Sequence, residues 1–250
     1  MTRFPTSSVV SVVAVSALAY AALAPAAEAP APTPVVRLSA TVSPSRLPIP
    51  NGTPLTLTLD TRFASVPAGG NFVLQRATYL FGRGARTNAR LFPSCTAAKL
   101  QAARGRLSAC PAGSRIGSGY AAGTAVAVGI SSRARITVFN GPGGHSLTLN
   151  ASIVNPALIN KTIALPIVRV HGGRYTMKLS STLPEEFKRI LDGDIVVSRI
   201  LITTGATRMV DGVRRGYFEA LNCPRGGSPI HADFVFNQGR SASADFTVVC

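Results

Sequence analysis

The chain has 250 residues, 46% hydrophobic and only 14% charged, with 23 glycines, 18 prolines, no tryptophan and a formal net charge of +16. That length accommodates one large β domain or two small ones with a real core, and sparse charge with abundant Gly and Pro argues against a helical protein and for strands and turns. The positive excess, mostly arginine, attracts anionic surfaces without choosing among them, and a compositional bias toward Ala, Arg, Gly and Val is its other source.

At the N-terminus, Met-Thr-Arg precedes residues 9–23, made of Val, Ala, Leu, Ser and Tyr, and small residues follow at Ala22, Ala24 and Ala26. A positive start, an apolar run and an Ala-x-Ala exit predict a signal peptide over residues 1–26, with an uncleaved anchor as the alternative. Residues 27–34 are Pro/Ala-rich and predict an extended tether. Residues 35–250 then form the expected β domain, either as one body or as two β-rich halves joined by residues 91–119.

Residues 35–42 read as a first strand. Asn51-Gly52 marks a turn, and Leu55, Leu57 and Leu59 alternate with polar residues in a half-buried strand. Residues 72–74 and 77–81 read as another strand, followed by a Gly/Arg loop. Residues 96–103 have helix-forming composition, with Thr96 as cap and Gly105 as terminator. After Cys110, Gly113, Gly117 and Gly119 predict irregular backbone. Strands are expected at 125–130, 135–139 and 146–154. Residues 163–170 and 174–179 form a hairpin with His171-Gly172-Gly173 at its tip. Residues 184–191 suggest a short helix, with acids first and bases last. Residues 195–203, 217–221, 230–236 and 244–249 complete an all-β antiparallel sandwich with one short helical insert.

Cys95, Cys110, Cys223 and Cys250 lack the paired C-x-x-C spacing of a zinc site, and in an exported chain they predict two disulfides, for which three pairings exist. A Cys95–Cys110 bridge would staple the helical insert, and a Cys223–Cys250 bridge would hold the C-terminus. The segments FPSC (92–95), ACPAGSRIGSG (109–119), VFNG (138–141), NCPRGG (222–227) and the closing FTVVC resemble a group of uncharacterised exported β-rich proteins of high-GC Gram-positive bacteria. The resemblance covers most of the chain after Leu91. It implies the sequential cysteine pairs and carries no activity or catalytic residues.

Chemistry-bearing patterns are scarce. His145 and His171 read as turn histidines and His231 as an outward strand residue, none with metal-pair spacing. Ser118 lacks the flanks of a nucleophile elbow and reads as part of a turn. Glu185-Glu186 and Asp192/Asp194 fall short of a paired-carboxylate or calcium site. The chain is therefore expected to be a non-enzyme without metal or cofactor. Arg83, Arg86, Arg90, Arg104, Arg106 and Arg115 surround the stapled segment, and if they converge they would contact an anionic cell-wall polymer or acidic glycan. Few aromatics accompany them, which argues against nucleic acid. The alternative is a structural domain meeting a protein partner, with the charge incidental. Either way the mature chain is expected to be secreted or associated with the cell envelope, with no membrane span.

Overall fold

A computed structural model describes residues 30–45, 49–190, 193–221 and 224–249, and from Ala31 onward the chain is one compact unit. The expected signal peptide lies outside the described residues, as does the expected Cys223–Cys250 bridge. No described helix is long and apolar enough to cross a membrane.

In chain order the elements are β1 (Thr33–Ser43), β2 (Pro54–Val66), β3 (Leu74–Gly82), β4 (Ala85–Thr87), α1 (Ala97–Ala102), β5 (Arg115–Ala125), β6 (Ile130–Asn140), β7 (Ser146–Ile153) and β8 (Ile159–Arg169). There follow β9 (Tyr175–Thr182), β10 (Arg189–Ile190), β11 (Gly193–Thr204), β12 (Thr207–Val210), β13 (Val213–Gly216), β14 (Phe218–Ala220), β15 (Ser228–Phe236) and β16 (Ser241–Val248). The fold is all-β and antiparallel, as expected. One sheet runs β16-β15-β3-β9-β8-β7-β6-β5-β11-β2-β14-β4, with β1 added on β2 and β10 on β11, while β12 and β13 form a separate hairpin. The sheet curls until β1 lies beside β16, so its two limbs face each other across one interior. Strands from before and after the insert alternate in this sheet, so residues 91–119 do not divide it into halves. Thr33 and Pro34, read as the end of the tether, pair with Val66 and Ser65 as the first residues of β1.

Alternation sets which side chains enter that interior. Along β15, Ile230, Ala232, Phe234 and Phe236 are buried, while His231 and Asp233 lie on the other face. At one end, Phe63, Phe72, Phe234 and Phe236 close the interior with edge-to-face contacts, the Phe63 and Phe234 centroids being 5.0 Å apart.

Two stretches depart from expectation for identifiable reasons. After Cys110, Gly113 lies in a turn at φ +79°, as expected, but Gly117 and Gly119 are not irregular; they lie in β5, paired with both β6 and β11. Gly117, Gly119 and Gly123 lie where any Cβ would run into the backbone of β11, so glycine permits the strand here by allowing close approach. The 125–130 segment is then the tip between β5 and β6. Of the short helix expected over 184–191, only a single 3₁₀ turn forms, at Glu185–Phe187, while Arg189–Ile190 are extended and pair with Asp194 and Gly193; Leu191 lies outside the described residues. So short a helix has too few hydrogen bonds to stand alone, and the extended form buries Ile190 with Ile195 and Ala134.

The insert matches its expectation. The Lys99 amide donates to Thr96 Oγ1 at 3.1 Å, and Gly105, at φ +75°, donates to the Leu100 carbonyl at 2.8 Å to end α1. Cys95 and Cys110 are bonded, and Cys95 and Leu100 bury against Phe139 on the outer face of β6. The bridge closes a loop with a sequence separation of 15. Replacing both cysteines with Ala should therefore lower unfolding free energy by about 3 kcal/mol, read as a shift in the urea midpoint at unchanged m-value. No shift would mean that Phe139 and Leu100 hold the insert without the bridge.

Candidate functional site

The inward rows of the two limbs do not meet. Leu57, Leu59, Leu149, Ile163 and Ile167 share the parity of buried neighbours, and Ile202, past the register slip in β11, pairs with Leu59 on the same face, yet each stays only half-buried. They line a partly open cavity of about 1130 Å³, a little above the ~300–1,000 Å³ usual for small-molecule sites. The lumen therefore takes up solvent or a guest, and its aliphatic lining favours an apolar guest.

The lumen has a polar mouth. On β8 the inward row Ile163, Leu165, Ile167 ends in Arg169; on β3 the row Ala77, Tyr79, Phe81 is followed by Arg83. Phe81 pairs with Met177 of β9, which pairs with Arg169 of β8, placing Arg169 two strands, about 10 Å, across from Phe81. Arg83 and Arg169 are exposed and have no carboxylate partner among the described residues. His171 and the glycines of the β8–β9 tip complete this rim. Deeper in the wall, the Tyr79 hydroxyl and Thr61 Oγ1 share a 3.0 Å hydrogen bond, and burial pushes the Tyr79 phenol up to about 12.

Arg86 also lines the mouth, but it is engaged. The fully buried Glu219 carboxylate accepts from Arg86 Nη2 at 2.8 Å, Arg215 Nε at 2.7 Å and the Gly216 amide at 3.1 Å. Arg215 above all, then Arg86 and the Gly216 amide, hold its carboxyl far below the usual range despite burial. This triad fixes β14 and β4 beside the lumen. Behind it, the buried Tyr217 hydroxyl donates to Asn140 Oδ1 at 3.1 Å. Asn140 Nδ2 in turn donates to the carbonyls of Ala89, Phe92 and Pro93, tying the start of the insert to β6.

The six arginines singled out in the sequence do not share one face. Arg83 and Arg86 stand at the mouth. Arg104 and Arg106 flank Gly105, which packs against Asn160 near the other end of β8, about 30 Å along that strand from Arg169. Arg90 lies beside the Gly144 turn, and Arg115 opens β5 opposite Phe139. Arg169, which the sequence reading passed over, is the better partner for Arg83; its signal was an arginine in register with three alternating aliphatics.

Of the histidines, His145 follows the 142–144 turn and His171 lies at the hairpin tip, as read. His231 is on the outer face, its Nδ1 3.0 Å from Asp245 and its Nε2 2.9 Å from Asp233. These carboxylates sit on opposite ring nitrogens and do not converge, and no described cluster of His, Cys, Asp and Glu is suited to a metal ion. Partial burial opposes protonation of His231, but the bonds to Asp245 and Asp233 outweigh it and raise its pKa. Ser118 lies inside β5. Asp192 is outside the described residues. Asp194, Glu185 and Glu186 pair with Arg189, Lys188 and Lys161.

Because the folded pKa of Glu219 is depressed, its contribution to stability is complete above its ordinary value of 4.5 and is lost as pH falls below it. Glu219→Gln should lower stability at pH 7 by about 2–3 kcal/mol, less than the ~3–5 of a fully buried pair because Arg86 and Arg215 are 47% and 32% exposed. In urea titrations the gap between variant and wild type should narrow below about pH 4. A gap independent of pH would contradict the assignment.

No family model, curated protein or solved structure matches the chain, so the geometry of the lumen and its rim carries the functional reading.

Proposed function

We propose that the protein is a secreted, non-catalytic binder of lipid-like amphiphiles, with the apolar tail in the lumen and an anionic head at Arg83 and Arg169. The observation that carries this reading is the half-exposure of inward aliphatics on both limbs around a cavity of about 1130 Å³. The Cys95–Cys110 bridge suits an oxidising compartment outside the cytoplasm. Part of the anionic-ligand expectation carries over, since the ligand's charge would meet the exposed rim. A wholly polar wall polymer or glycan would use the rim and leave the aliphatic lining without a role.

The magnitudes are compatible with such a ligand. Burying a twelve-carbon tail gains about 9 kcal/mol at ~0.8 kcal/mol per methylene. Association costs at least ~4 kcal/mol of this, and contacts from the head group restore part of it, which places binding near the micromolar range.

Displacement of a fluorescent fatty acid by dodecanoate, by a neutral dodecyl glycoside and by acetate tests the reading. Dodecanoate should compete in the micromolar range, the neutral glycoside about ten-fold more weakly, and acetate not at all. Ala121→Phe with Leu149→Phe, which fills the lumen, should weaken both tailed ligands at least ten-fold. Arg83→Glu with Arg169→Glu should weaken dodecanoate selectively. Absence of saturable binding, or binding indifferent to the filling variant, would overturn the proposal.

A further inference from the structure

The end of the sheet opposite the mouth carries a second surface. Two neighbouring hairpin tips project there, residues 126–129 between β5 and β6 and residues 154–158 between β7 and β8. They are joined by a hydrogen bond from Ser132 Oγ to the Asn155 carbonyl at 3.2 Å. Both tips present aliphatic side chains to solvent: Val126, Val128 and Ile130 on the first, and Val154 and Leu158, 79% and 84% exposed, on the second. Turn tips are ordinarily polar, with Gly, Asn, Asp or Ser, so five exposed branched aliphatics on two adjacent tips are out of place for a surface that meets only water.

Cations flank these tips. Gly105 packs against Asn160, two residues beyond Leu158, and this brings Arg104, Arg106 and the exposed Leu107 to the same end. Arg104 is held at φ +52°, and neither Arg104 nor Arg106 has a carboxylate partner among the described residues. The described acids of this end, Glu185, Glu186 and Asp194, are already paired with Lys188, Lys161 and Arg189. What remains is aliphatic knobs beside unneutralised guanidinium groups.

We propose that this end docks on an anionic lipid bilayer, the tips entering the headgroup–acyl boundary while Arg104 and Arg106 contact lipid phosphates. Charge selects this occupant over a second copy of the chain, because self-association through this end would set Arg104 and Arg106 of two like-charged molecules, each at +16, against one another. Short aliphatic protrusions flanked by arginine are the combination that an interface of apolar chains under anionic headgroups accommodates. Docked this way, the mouth faces away from the membrane. The proposal stands independently of what the lumen holds.

Co-sedimentation of the oxidised mature chain with vesicles of phosphatidylcholine alone, or with about 30% phosphatidylglycerol, tests it. Wild type should partition onto the anionic vesicles at least ten-fold better than onto neutral ones, and should be released as salt rises from about 50 to 500 mM. Val154→Asp with Leu158→Asp, and separately Arg104→Glu with Arg106→Glu, should each cut partitioning at least ten-fold with unchanged urea midpoints. Arg83→Glu with Arg169→Glu should leave vesicle binding intact. Failure of wild type to bind anionic vesicles, or binding that survives both tip and arginine variants, would overturn the proposal. So would concentration-dependent dimerisation abolished by Leu158→Asp without any vesicle binding.

Discussion

Everything in this structure depends on how closely β5 approaches β11. A side chain at Gly117, Gly119 or Gly123 would strike the carbonyl backbone of the neighbouring strand, and without one the two strands can fold tightly against each other. The register slips at Ser198, where Val197 pairs with Gly123 and Arg199 with Ala122, and such a bulge adds bend and twist to the strand that carries it. Bulges and glycines are the devices by which an antiparallel sheet acquires strong curvature. Here they turn the limb of β5 to β9 to face the limb of β1, β2, β3, β15 and β16. The lumen exists because that turn sets the opposed inward rows farther apart than their side chains can reach.

The same curvature distributes chemistry between the two ends. Hairpin tips and strand termini collect there, and the inward rows run out into solvent at the mouth, where aliphatics give way to Arg83 and Arg169. Glu219, gripped by Arg86 and Arg215, serves a different purpose. A buried carboxylate between two guanidinium groups adds little over an apolar cluster of the same shape, though removing one partner is costly, and it fixes the position of what it joins, in this case β4 and β14 along the rim. On the outer face the stapled insert covers Phe139 and carries Arg104 and Arg106 away from the mouth, so one basic composition yields two separate basic surfaces.

Much of this was legible in the sequence. The alternation of Leu55, Leu57 and Leu59, the inward row of β15, the cap at Thr96 and the glycine tip after Val170 each announce their element through local physics. β5 was not legible, because RIGSGYAAGTA has the composition of a loop; only the neighbouring β11 backbone reveals why those glycines are needed. The β12–β13 hairpin was missed despite its Asp211-Gly212 turn, since Arg208, Arg214 and Arg215 interrupt the apolar alternation that marks a strand. The arginines were recognised as a group, but which of them share an end depends on strand direction and register, which sequence spacing does not supply. Nor does alternation reveal a cavity: it tells which residues face inward and is silent on how far away the opposing row stands.

The most direct test of the account is a decanoate titration of the methyl-labelled protein followed by NMR. If the lumen accepts an apolar tail, methyl resonances of Leu57, Leu59 and Ile202 on one side and Leu149, Ile163 and Ile167 on the other should shift together along one saturable isotherm, while those of the solvent-facing Val66 and Val213 stay in place. Shifts confined to surface methyls, or none among the inward rows, would contradict a guest-accepting interior and with it the central claim.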